Sequence, residues 1–160
     1  MSTRTPYSKD LGDREPIGAI RDSAGRYQRL MSGWTPAQFE RTYAPGKWTA
    51  RQILIHLAQS ELALGTRARM ALSTPNYAAQ AFNQDEWMAK EQKLGGKEAL
   101  DALLALMIMN RTFFDGLSPA DLATTLSHPE YGALTVDWIL NQLAGHQIHH
   151  LAQLEQIAAR

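Results

Sequence analysis

Residues 135–157 read TVDWILNQLAGHQIHHLAQLEQI. Ile139, Leu143, His146, His150, Leu154 and Ile157 follow one another at spacings of four, three, four, four and three, which sets all six on one face of an α-helix. Thr135 has the residue type and place of an N-cap, and Asp137 puts a negative charge in the first turn, where the helix dipole favours it. The stretch predicts a helix that buries one stripe against its neighbours, with two imidazoles in the middle of that stripe.

Upstream, the same periodicity recurs three times. Ile17, Ile20, Tyr27, Leu30, Met31 and Trp34 form one stripe from about residue 15 until Trp34-Thr35-Pro36 ends it. Thr49-Ala50-Arg51-Gln52 fits a capping box, opening a second helix that runs to about Leu72 with Ile53, His56, Leu57, Leu64 and Ala68 on one side. A third runs from about Lys97 to Leu117, with Leu100, Leu103, Leu104, Met107, Phe113 and Phe114 supplying core. No convincing strand, repeat or low-complexity tract is found. The expected fold is all-α, a four-helix bundle. Residues 73–96 form a long crossover between helices 2 and 3, and such a length is often functional or holds a short helix of its own. Residues 1–14 are expected as an irregular arm and 15–160 as a single domain.

At 160 residues the chain buries a proper core without staples. Lys+Arg and Asp+Glu are equal at 16 each, which argues against nucleic acid as the main partner. No run reaches a membrane span, and the polar start MSTRTPYSKD lacks the apolar core of a secretory signal, so the expected location is cytoplasmic. With no cysteine, disulfides, thiolate metal sites and a cysteine nucleophile are excluded; any thiol chemistry needs a thiol from outside.

The histidines pose the chemical question. His146 and His150 lie one turn apart, and His56 sits on the inward face of the second helix. A buried neutral imidazole must satisfy one donor and one acceptor or lose roughly 1–3 kcal/mol per unmet group. A shared metal ion satisfies several rings at once, and three protein ligands leave a coordination position open, as in catalytic zinc sites. Spacing alone equally allows three satisfied core histidines and no metal. His149 points about 100° away from His150 and reads as a surface residue or a support behind the ligands, while His128, in SHPEYG, reads as an exposed turn residue.

Two stretches carry a resemblance. KWTARQILIHLAQSE (residues 47–61) and YGALTVDWILNQLAGHQIHHLAQLEQI (residues 131–157) resemble the second- and fourth-helix signatures of the DinB/YfiT-like metalloprotein superfamily, in order and at a similar separation. The resemblance implies a four-helix bundle with a long crossover, a divalent metal on His56, His146 and His150, and a homodimer. Zinc or nickel leads as the metal, with iron or manganese also compatible. Many relatives carry Asp where this chain has Gln59, a weaker acceptor for an imidazole N–H; Glu61, about 140° around the helix from His56, is not placed in the site.

Relatives of that kind imply a metal-dependent enzyme, first of all a thiol transferase joining a low-molecular-weight thiol to a small electrophile. The alternatives are a hydrolase using metal-activated water and a non-catalytic, metal-stabilised stress-response or dimerisation module. Tyr77, Asn83, Gln84 and Trp87 are candidates to roof the site. Trp48 and Trp138 are expected as core anchors. Arg67 and Arg69 are expected as a solvated face, with an acidic substrate the other reading.

Overall fold

The computed structural model describes residues 3–160. Four long helices dominate: α2 (Pro16–Met31), α4 (Ala50–Ser73), α6 (Gly96–Asp115) and α8 (Val136–Ala158). Helix α2 packs on α6 and α8, and α4 packs on α6 and α8, so α2 lies diagonal to α4 around a core that includes Tyr27, Met31, Ile53, Leu57, Leu103, Met107, Ile139 and Leu143. Short helices α1 (Ser8–Leu11), α3 (Pro36–Phe39), α5 (Gln84–Lys90) and α7 (Pro119–Leu122) punctuate the connections. The bundle and its long crossover are as the sequence predicts.

Local chemistry sets the helix starts. The Thr49 hydroxyl accepts from Gln52 N at 3.1 Å while the Gln52 side chain accepts from Thr49 N at 2.9 Å, the reciprocal cap that fixes where α4 begins. Thr135 accepts from Trp138 N at 3.1 Å and fixes α8. Deeper in, the Tyr27 hydroxyl donates to the Gln147 carbonyl at 2.6 Å, tying α2 to α8 inside the core.

Two segments depart from expectation. Residues 125–135, where no strand is expected, hold an antiparallel hairpin of β1 (Thr125–His128) and β2 (Gly132–Thr135). Gly132 takes φ 71° at the turn, the left-handed region that favours glycine. Four-residue strands with few apolar side chains leave too little alternation to read. The crossover is stitched to this hairpin: Ala79 N donates to Ser127 O at 2.8 Å and Ser127 N to Tyr77 O at 3.1 Å. Lastly, the N-terminal stretch expected as irregular contains the single turn α1, which packs on α8 and buries Leu11.

Candidate metal centre

Helix α4 supplies His56, and α8 supplies His146 and His150. All three are buried, and one ring nitrogen of each lies within 4.8 Å of the other two. His56 Nε2 and His146 Nε2 face each other at 2.9 Å. The ring of His150 stands edge-on to both, with centroids 4.6 Å from His146 and 5.1 Å from His56.

Protonation follows from the partners. His150 Nδ1 lies 2.7 Å from Gln153 Oε1; an amide oxygen only accepts, so Nδ1 carries the proton and Nε2 keeps a free lone pair. Gln153 is held in turn by its Nε2, which donates to the Tyr43 hydroxyl at 3.4 Å. Burial pushes the His56 ring down to about 3, with the neighbouring His150 adding to the shift. Burial likewise brings His150 to about 4, against the opposing effect of the Gln153 bond. His146 is lowered well below the ordinary histidine range, by burial first and then by His150, His56 and His149. Three neutral imidazoles thus converge. At most one proton can sit between His56 and His146, so at least two of the three converging nitrogens are unprotonated, and His56 Nδ1 has no partner. The donor set fits a cation of imidazole-binding type: neutral nitrogens, and no carboxylate in the cluster among the described residues.

Other side chains frame the rings. Trp48 packs against His56 with centroids 4.9 Å apart, and Tyr7 against His146 at 4.9 Å. The Ser60 hydroxyl donates to the His56 carbonyl at 2.9 Å. A pocket of about 190 Å³ opens on His56 and His146, walled by Tyr7, Arg67, His128 and Gln142 among others. A second, of about 270 Å³, opens on His150 beside Tyr43, Trp48 and Gln153, and Gln84 borders both.

Several sequence expectations need correcting. His128 is no exposed turn residue: it ends β1, is buried, and lines the first pocket. Gln59 supports no imidazole: its Oε1 accepts from no group, and its amide nitrogen donates to Glu91 at 2.9 Å. Trp48 and Trp138 pack against the core as expected and also border the pockets. Arg67 is half-buried in the first pocket rather than solvated. Of the proposed roof, Gln84 reaches the site, while Tyr77, Asn83 and Trp87 line a separate groove further out. His149 is partly exposed, with Nδ1 3.3 Å from an Asp10 carboxylate oxygen. Glu61 stands apart from the rings, buried and accepting from Asn110 Nδ2 at 2.7 Å and from Gln147 Nε2. Sequence reasoning missed Tyr7, Gln142 and Gln153. The two glutamines had a signal: one is four residues before His146 and the other three after His150, hence on the same helix face as the two histidines.

Comparison with known proteins adds the family. Residues 19–154, which include the three histidines, match the DinB superfamily model. A relative from Oceanobacillus iheyensis named "Putative metal-dependent hydrolase OB0782" is 29% identical over 91% of this chain and 86% of its own. A Bacillus mycoides protein of the same designation is 26% identical over 90% and 84%. Among solved structures, YfiT from Bacillus subtilis, described as a probable metal-dependent hydrolase with an unusual four-helix bundle topology, superposes with TM-score 0.80 at 21% identity, over 100% of this chain and 91% of that one. A mycothiol-dependent maleylpyruvate isomerase gives 0.73 at 16% identity, over 94% of this chain and 63% of that one. At these identities the two structures speak to fold alone.

Proposed function

Because this chain belongs to the DinB superfamily, we propose that it is a metal-dependent hydrolase of a small molecule, with its divalent ion held by His56, His146 and His150. The observation that carries this is the convergence of three neutral imidazoles from two helices beside an open pocket, with no carboxylate in the set. Three protein ligands leave room for substrate or water. A divalent ion there supplies Lewis acidity toward a carbonyl or phosphoryl oxygen. The protein's own part is to fix the donors: Gln153 holds the proton on His150 Nδ1, while Trp48 and Tyr7 pack the His56 and His146 rings. Zinc or nickel suits three imidazoles best, with iron or manganese as substitutes.

The test begins with metal analysis of protein purified without an affinity tag, followed by hydrolysis of 4-nitrophenyl acetate by zinc- and nickel-loaded samples. Stoichiometric metal, turnover, and loss of both in His150→Ala are expected. Trace metal in wild-type protein after loading would overturn the reading.

Thiol transfer is the second reading. It is supported by a pocket on each side of the cluster, room for a thiol and an electrophile, and by the fold shared with a thiol-dependent isomerase. The chain has no cysteine, so the thiol comes from a second substrate. Thioether formation from a small thiol and an electrophile, absent from the hydrolysis assay, distinguishes it. The homodimer expectation finds support in apolar side chains left uncovered on α4 and α6, namely Leu62, Ile108 and Met109.

A further inference from the structure

Helix α4 lines the first pocket with His56, Ser60, Leu64 and Arg67. Those residues follow at spacings of four, four and three, a single stripe with the imidazole at one end and the guanidinium at the other. The two backbone positions are about 16 Å apart along the helix, a span that side chains from both ends shorten to the length of a small molecule. Arg67 donates through one Nη2 to the Gln80 carbonyl at 2.5 Å and lies against the Phe82 ring, 5.8 Å from its centroid. That occupies one of five guanidinium donors. Among the described residues no carboxylate pairs with it within ion-pair distance; Glu130 also lines the pocket but is exposed, where water screens its charge.

Two neighbours complete the polar wall. His128 Nδ1 accepts from Glu130 N at 3.1 Å, so in the neutral ring the proton sits on Nε2 as a donor. Gln142, one turn before His146 on α8, lines the same pocket and has an enclosed Oε1 with no hydrogen-bond partner, an acceptor left unmet in the pocket wall. A permanent cation half removed from water, a neutral N–H donor and an unmet acceptor, in one pocket with the three-imidazole cluster, describe a substrate with an anionic tail. The volume of about 190 Å³ lies below the roughly 300–1,000 Å³ of drug-sized sites, so that substrate is small.

Resting on the hydrolase reading above, we propose that Arg67 is the carboxylate-binding end of this pocket, making the substrate a small carboxylate-bearing molecule whose reacting bond lies at the three-histidine end. Guanidinium geometry suits two-point recognition of a carboxylate.

The experiment uses zinc-loaded protein. Calorimetric titration compares adipate with hexanoate, which differ by the distal carboxylate, and hydrolysis compares mono-4-nitrophenyl adipate with its methyl ester. Wild-type protein is expected to bind adipate at least about tenfold more tightly than hexanoate and to prefer the acid ester by a similar factor. In Arg67→Gln both ratios fall toward one at unchanged zinc content, and Arg67→Lys recovers part of them. An adipate-to-hexanoate ratio near one in wild type, or one that survives Arg67→Gln, overturns the carboxylate end even if both esters are hydrolysed. A ratio that depends on Arg67 while neither ester turns over sinks the hydrolase reading and leaves the binding end standing.

Discussion

Which nitrogen of His150 keeps its lone pair is set by one amide, that of Gln153, whose Oε1 holds the Nδ1 proton at 2.7 Å. Partners of this kind orient a ligating ring and raise its basicity, and their loss typically weakens metal affinity about 10–100-fold. Gln153→Ala is expected to fall in that range by competition with a chromogenic chelator, whereas Gln153→Glu, which keeps an acceptor, stays closer to wild type. Equal affinity in all three proteins would show the tautomer to be set elsewhere. Gly145 makes a different demand on the same helix. A Cβ there would stand 2.6 Å from the Tyr7 carbonyl oxygen and 2.8 Å from its Cβ, and backbone cannot swing aside as a side-chain tip can. Gly145→Ala is therefore expected to push Tyr7 off the His146 ring and cost about 1–3 kcal/mol. A lowered melting temperature with a changed near-ultraviolet aromatic signal reads it; an unchanged melt contradicts the close approach. The three histidines were legible because they fall on helical stripes. Tyr7 was not, because its place beside His146 depends on a neighbouring turn of chain that carries no periodicity.

Helix α4 carries more than His56. Glu61 is fully enclosed between α4, α6 and α8, accepting from Asn110 on α6 and Gln147 on α8, with Tyr27 of α2 feeling its charge. Burial raises its carboxyl from 4.5 to about 7, and the two amide bonds only partly oppose that. Because the folded protein then holds the proton more tightly than the unfolded chain, the stabilising contribution is full below about pH 4.5 and is lost as pH rises through about 7. Glu61→Gln removes the titration, and a turn of the Gln147 amide, whose Nε2 now faces position 61, lets its partnerless Oε1 accept from the new carboxamide NH₂. The stability of wild type relative to this variant should fall between about pH 5 and 8, by a few kcal/mol at most. Parallel curves across that range would refute the raised carboxyl. At this scale the four long helices were legible from spacing and from the Thr49 and Thr135 caps. The hairpin was not, since its four-residue strands are fixed by pairing with each other and with Tyr77–Ala79, contacts that no local pattern announces. The same pairing carries His128 into the pocket, which is why its role was misread.

Across the whole molecule the cluster bridges α4 and α8, helices separated in sequence by the crossover, α6 and the hairpin. A cation bound there closes that long connection only when the chain is folded. Anything that binds the folded state alone stabilises it by RT ln(1 + [L]/Kd), about 2.7 kcal/mol at a hundredfold excess over Kd. For a chain of this length that corresponds to a rise of roughly 5–10 °C in Tm. Zinc is therefore expected to raise the melting temperature in a concentration-dependent way, and a chelator to reverse the rise without unfolding the protein at 25 °C, because the core around Tyr27, Ile53, Leu103 and Leu143 contains no metal ligand. His56→Ala cuts the link from the α4 side and His146→Ala from the α8 side, so either should abolish the zinc-dependent shift. Arg67→Gln, at the far end of the pocket, should keep it. A shift that survives both histidine variants would mean the ion sits elsewhere, and the three rings would then be core residues that happen to meet.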